Sequence, residues 1–168
     1  MTATVNATTS KAPTGIDIGL AIVRVSVGGL LAVHGSQKLF GWFNGYGLDA
    51  TAGSFAKMGY DPGKFFATLA GLSELVGGLL LALGLLTPLA AAIVLGTMIN
   101  ALNVTWSGGF ARWELPAVYA LVAVAFAFAG PGRISLDAGR LWQRQGLAWG
   151  AGAIALGVAA ALITLAVK

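Results

Sequence analysis

FFATLAGLSELVGGLLLALGLL, residues 65–86, carries a single charge, the Glu74 carboxylate, near its middle. A helix that crosses a bilayer needs about 20 mostly apolar residues, and this stretch has that length. Inserting a carboxylate at the bilayer centre costs about 2.5–3.5 kcal/mol or more unless it meets a partner or water. Glu74 is therefore a candidate functional residue from the outset.

Working outward, four further segments have spanning character: residues 16–40, 88–106, 115–129 with Glu114 at its mouth, and 147–167. No segment alternates as a barrel strand would. The pattern predicts an all-α membrane protein, an antiparallel four-helix transmembrane bundle plus a fifth C-terminal transmembrane helix. Leu86-Thr87-Pro88 is too short for anything but an antiparallel hairpin, and proline suits a helix start. In the first connection Asp49 is the expected cap of a short interfacial helix bearing Leu48, Ala52 and Phe55 and ended by Gly59. Gly130-Pro131-Gly132-Arg133 reads as a helix stop, and Gly146 and Gly150 are spaced for close helix contact.

Of 168 residues, 57% are hydrophobic and 10% charged, against about 25% charged in soluble domains. Such an inventory cannot clothe a water-soluble surface. The absence of cysteine excludes disulfides, dithiol redox motifs and thiolate metal sites, and one histidine makes an all-protein metal site improbable. No covalently bound cofactor is expected. The net charge of +4 comes from scattered cations without a basic stripe, so nucleic acid is not an expected partner. Residues 1–12 lack the pattern of a cleavable signal peptide, and the first span is expected to act as an uncleaved insertion signal.

With five crossings, Lys11, Arg133, Arg140 and Arg144 share the amino-terminal side, and Lys38, Lys57, Lys64, Arg112 and Lys168 the other. Three arginines crowd one short connection, which favours a cytoplasmic amino terminus.

On the side opposite the amino terminus, polar residues gather. His34, Gln37 and Lys38 share a face at the end of the first span, Asn100 and Asn103 lie in the last turns of the third, and Glu114 opens the fourth. Together with the deeper Glu74 they predict one polar funnel rimmed by Trp42, Trp106 and Trp113. Each member also has a plainer reading. Glu74 could form a structural pair with Arg24, His34 could be hydrogen-bonded packing, Lys38 an interfacial anchor, and the amides interhelical glue. The tryptophans fit an aromatic belt. In the functional reading His34 and Glu74 exchange protons, Gln37 and Asn103 orient carbonyl oxygens, and Lys38 or Arg24 stabilises developing negative charge; Asn100, Trp106 and Glu114 complete the binding set.

Taken in order, Val33-His34-Gly35-Ser36-Gln37-Lys38-Leu39-Phe40-Gly41-Trp42, Glu74-Leu75-Val76-Gly77-Gly78, Gly84-Leu85-Leu86-Thr87, Glu114-Leu115, and Gly130-Pro131-Gly132-Arg133 with Ser135-Leu136-Asp137 resemble the DoxX family of bacterial integral membrane proteins. The resemblance implies a four-helix core over residues 16–137, after a polar tail at 1–15 and before a basic connection and additional helix at 138–168. It further implies a multi-pass protein of the bacterial inner membrane with redox associations. DoxD-type relatives are linked to thiosulfate:quinone oxidoreduction, and others to complexes with superoxide dismutase and a sulfurtransferase. The leading expectation is thus a membrane subunit of a redox system, part of a quinone-linked oxidoreductase, that binds a quinone or similar amphiphile and draws electrons from a partner protein. Two rivals stand: a non-catalytic scaffold or respiratory accessory subunit that recruits antioxidant or sulfur-handling partners, and a small-solute transporter or proton pathway. Homo-oligomerisation is open.

Overall fold

The computed structural model describes residues 12–168; the tail at 1–11, with Lys11 and most of the segment judged not to be a cleavable leader, lies outside the described residues. Helices α1 (Gly15–Phe40), α2 (Gly47–Lys57), α3 (Gly63–Leu83), α4 (Thr87–Thr105), α5 (Phe110–Ala129) and α6 (Leu147–Val167) follow one another, with a short 3-10 turn at Trp106–Gly108. Five of them are long and apolar enough to cross a bilayer, and there is no strand among the described residues. The short one, α2, joins α1 to α3. Its start departs from expectation: Gly47 begins the helix, and Asp49 lies in the first turn with Lys64 Nζ at 3.2 Å instead of capping it.

The tightest pairing is α1 on α3. Small residues let backbones approach closely in lipid, and here they do so in register. A Cβ on Gly28 would lie 2.5 Å from the Gly78 carbonyl, and one on Gly35 would lie 2.4 Å from the Leu75 amide nitrogen and 2.6 Å from the Gly71 carbonyl. Later residues of α1 therefore meet earlier residues of α3, the antiparallel order. Gly77, beside Gly78, faces the other way, onto Ile93 and Val94 of α4.

Between α3 and α4 the chain reverses through Gly84, which closes α3 in the left-handed conformation. No side chain within the turn caps α4. Instead the fully buried Asp137, from the connection after α5, accepts hydrogen bonds from the backbone amides of Leu86 and Thr87 and from the Thr87 hydroxyl at 2.9–3.0 Å. It also accepts one from the Trp142 indole. At the start of α1, Thr14 and Asp17 form a reciprocal capping box, and Asp17 further accepts from the Arg133 amide.

Leu31, Val94, Leu95, Met98, Tyr119 and Ala123 bring α1, α4 and α5 around one apolar centre. Helix α6 packs on α4 at Gly157, where a Cβ would stand 2.8 Å from the Ala92 carbonyl. Of the two glycines expected to serve close helix contact, Gly150 does so against the Phe128 ring of α5, whereas Gly146 precedes α6. Helix α5 starts at Phe110, ahead of the expected 115, so Glu114 sits within its early turns and Pro116 is internal. Pro116 lies beyond the first turn, so it withdraws the amide that would otherwise bond the Arg112 carbonyl.

Candidate functional site

Glu74 is buried, with 7% of its side chain exposed, and its partner is Lys38. The antiparallel packing of α1 on α3 carries the last turn of α1 alongside the first half of α3, and the lysine stem reaches across to the carboxylate. The ammonium retains donors beyond the one given to Glu74 Oε2. The attraction between the two charges offsets part of what their desolvation costs, and the pair as a unit is neutral.

Both residues line a cavity of about 450 Å³, within the range of about 300–1,000 Å³ typical of small-molecule sites. Its walls are mostly apolar. On α4 the lining residues are Ala92, Ile93, Gly96, Thr97, Asn100, Ala101, Val104 and Thr105, a stripe that recurs every three or four positions and so covers one helix face for about 20 Å at about 1.5 Å per residue. Helix α3 forms one flank with Ser73 and Glu74, and α6 the other with Ala160, Ala161 and Thr164. Phe55, Met58 and Tyr60 close the interfacial end. The Tyr60 hydroxyl donates to Asn100 Oδ1 at 3.3 Å, while Asn100 Nδ2 donates to the Gly96 carbonyl. Burial pushes the Tyr60 phenol above its ordinary range, so it remains a neutral hydrogen-bonding group.

His34 occupies a second recess of about 250 Å³ with Gln37, Asn44, Tyr46 and Thr51, and Lys38 lines both spaces. His34 Nδ1 and Gln37 Oε1 are 3.1 Å apart, and Gln37 Nε2 donates to the Phe43 carbonyl. The imidazole meets the Tyr119 ring edge-on at 6.2 Å, and Tyr119 is itself within electrostatic reach of Glu74. The single funnel expected from sequence is therefore two recesses with Lys38 between them. The histidine turns to α5, whereas the longer lysine one turn later reaches α3.

Other expected members fall elsewhere. Arg24, buried, donates from Nη2 to the Ile134 carbonyl, and Asp137 is within electrostatic reach. It lies about 21 Å along α1 from Lys38, at about 1.5 Å per residue, which rules out the pairing with Glu74. Asn103 is exposed and accepts from Lys168 Nζ at 3.0 Å. Trp106 stacks on Trp113 with centroids 5.0 Å apart, 65% exposed, and Glu114 is exposed nearby in α5; neither lines either recess. Only Asn100, of the amides on α4, faces the cavity. Sequence reading missed Tyr60, Ser73, Thr97 and Tyr119. The signal that could have found Ser73 is its place beside Glu74, and for Tyr119 its lone hydroxyl within an apolar run.

An antiparallel glycine-locked bundle with a buried ion pair opening on an intramembrane cavity defines a polytopic membrane protein with a candidate ligand site. The chain belongs to the DoxX family, whose family model matches residues 19–108. It is similar to an uncharacterized membrane protein of Mycobacterium tuberculosis, 33% identical over 132 residues that cover 68% of this chain and 77% of the relative. An uncharacterized protein of Haemophilus influenzae is 32% identical, over 70% of this chain and 87% of its own length. No solved structure matches.

Proposed function

We propose that the chain is a membrane subunit of a redox-associated system and that the α3–α4–α6 cavity receives the head of a quinone or a similar neutral amphiphile. The observation that carries this reading is the Lys38–Glu74 pair set into an apolar cavity between spanning helices. A neutral pair offers nothing to compensate a net charge on a ligand, whereas the remaining Lys38 donors and the Ser73 hydroxyl suit carbonyl oxygens. Glu74 is the carboxylate placed to relay a proton to such a head during its reduction, returning to its ion pair with Lys38 afterwards. His34 is the group in the second recess suited to exchange protons. Gln37, Arg24 and Asn103 have no part in this version, because each is engaged outside the cavity.

A quinone bound there would supply a two-electron, two-proton couple, with electrons delivered by a partner protein. Purified chain in lipid nanodiscs, titrated with decylubiquinone, tests the reading. Saturable binding that Glu74→Gln and Lys38→Met each weaken at least tenfold supports it, and absence of saturable binding to the unaltered chain refutes it.

The proton-pathway reading has one observation in its favour, the position of Lys38 in the walls of both recesses. Pyranine-loaded liposomes distinguish the two: proton flux without quinone, abolished by Lys38→Met, would favour the pathway. We further propose the bacterial inner membrane as its location, with the amino terminus in the cytoplasm, on the strength of Arg133, Arg140 and Arg144 in the connection between α5 and α6.

A further inference from the structure

The cavity is longer than a compact head requires. Its floor is the α4 stripe from Ala92 to Thr105, about 20 Å of helix at about 1.5 Å per residue, and the polar atoms of Lys38, Ser73 and Glu74 occupy one flank of it. The opposite flank is α6. Both α3 and α6 pack on α4, and the cavity lies between them. Helix α6 contributes only short side chains here, Ala160, Ala161 and Thr164, and the close approach at Gly157 fixes its distance from α4. The family match ends at residue 108, so the polar flank and the floor fall inside the matched segment and the α6 flank outside it.

We infer that α6 is the tail-selecting wall of this site: a lipophile with one apolar chain lies along α4 between α3 and α6, and the small residues at 160, 161 and 164 set the girth of chain admitted. A groove of this length and apolarity excludes a small polar solute as the main occupant, since most of its surface would gain nothing from one. The inference deepens the reading proposed above, and rests on it for the head group alone.

The natural lack of cysteine gives a clean test. Ser73→Cys places one thiol in the polar flank of the full-length chain in nanodiscs, where N-dodecylmaleimide and N-ethylmaleimide report on tailed and untailed reagents. The expected result is that adding Ala160→Phe slows the dodecyl reagent at least tenfold and the ethyl reagent less than twofold. Ala159→Phe, on the same helix but outside the lining, should alter neither rate. Equal effects on both reagents, no effect on either, or no dodecyl labelling of a thiol that reacts normally once the protein is unfolded in detergent would overturn the inference. Protection by decylubiquinone is read separately, on a Thr97→Cys thiol in the cavity floor, which keeps the Ser73 hydroxyl in place. If it is absent while the Ala160→Phe selectivity persists, the quinone head is wrong and the α6 wall stands; if it is present without that selectivity, the wall is wrong and the head stands.

Discussion

Lys38, in the last turn of α1, and Glu74, midway along α3, neutralise each other at the boundary between two recesses. Neither is near the other in sequence, and their meeting depends on the glycine register that brings α1 onto α3.

Because the pair is partly shielded, its halves should be worth less alone than together. Lys38→Met leaves a buried carboxylate unpaired and should destabilise the bundle by about 2 kcal/mol, below the about 3–5 kcal/mol of a fully buried pair because 29% of the Lys38 side chain is exposed. The double variant Lys38→Met with Glu74→Met should recover at least half of that loss. Reversible unfolding in mixed SDS micelles checks both; a double variant no more stable than the single would contradict the pairing.

Helix register should be sensitive to one methyl group. Gly35→Ala places a carbon 2.4–2.6 Å from α3 backbone atoms, which cannot yield as a side-chain tip can, so a loss of about 1–3 kcal/mol is expected. Gly29→Ala, on the same helix with open space around it, should be close to neutral. Thermal unfolding of the two variants side by side measures the contrast.

Asp137 acts as a cap at long range, so its amide analogue should retain part of its effect. Asp137→Ala opens three donors at the start of α4 and should cost about 2 kcal/mol. Asp137→Asn should cost less, since one oxygen still accepts. Amide hydrogen exchange at Thr87 localises the change: faster exchange confined to the α3–α4 turn is expected, and uniform loss of protection across all helices would argue against a local cap.

Orientation can be read by labelling. Single cysteines at Ser107 and Gln145 lie at opposite ends of α5 and are both exposed. With the amino terminus in the cytoplasm, an impermeant maleimide added to intact cells should label the Ser107→Cys protein, and reach Gln145→Cys only after permeabilisation. The reverse pattern would invert the proposed topology.

Much of this architecture was legible in the sequence because bilayer thickness imposes its own length on every span. Residues 147–167 were read to the residue, and Glu74 stood out as a charge where charges are costly. What escaped was lateral. Which face of α1 meets which face of α3 depends on Gly28, Gly35, Gly71 and Gly78 acting together, and hydropathy treats these as four ordinary small residues. Without that register, the sequence points to Arg24 as the structural partner of Glu74 and leaves Lys38 an interfacial anchor, and His34 and Glu74 are drawn into one funnel. The early start of α5 is hidden by Pro116, which reads as a boundary in sequence yet lies inside the helix here.

The Asp137 carboxylate lies some fifty residues downstream of the amides it serves. During synthesis the α3–α4 hairpin must therefore leave the ribosome with those donors open, and it is completed only after α5 has emerged and the following segment has folded back. A nascent chain halted before residue 137 would hold four spans in the bilayer with the reversal between its second and third still unsealed.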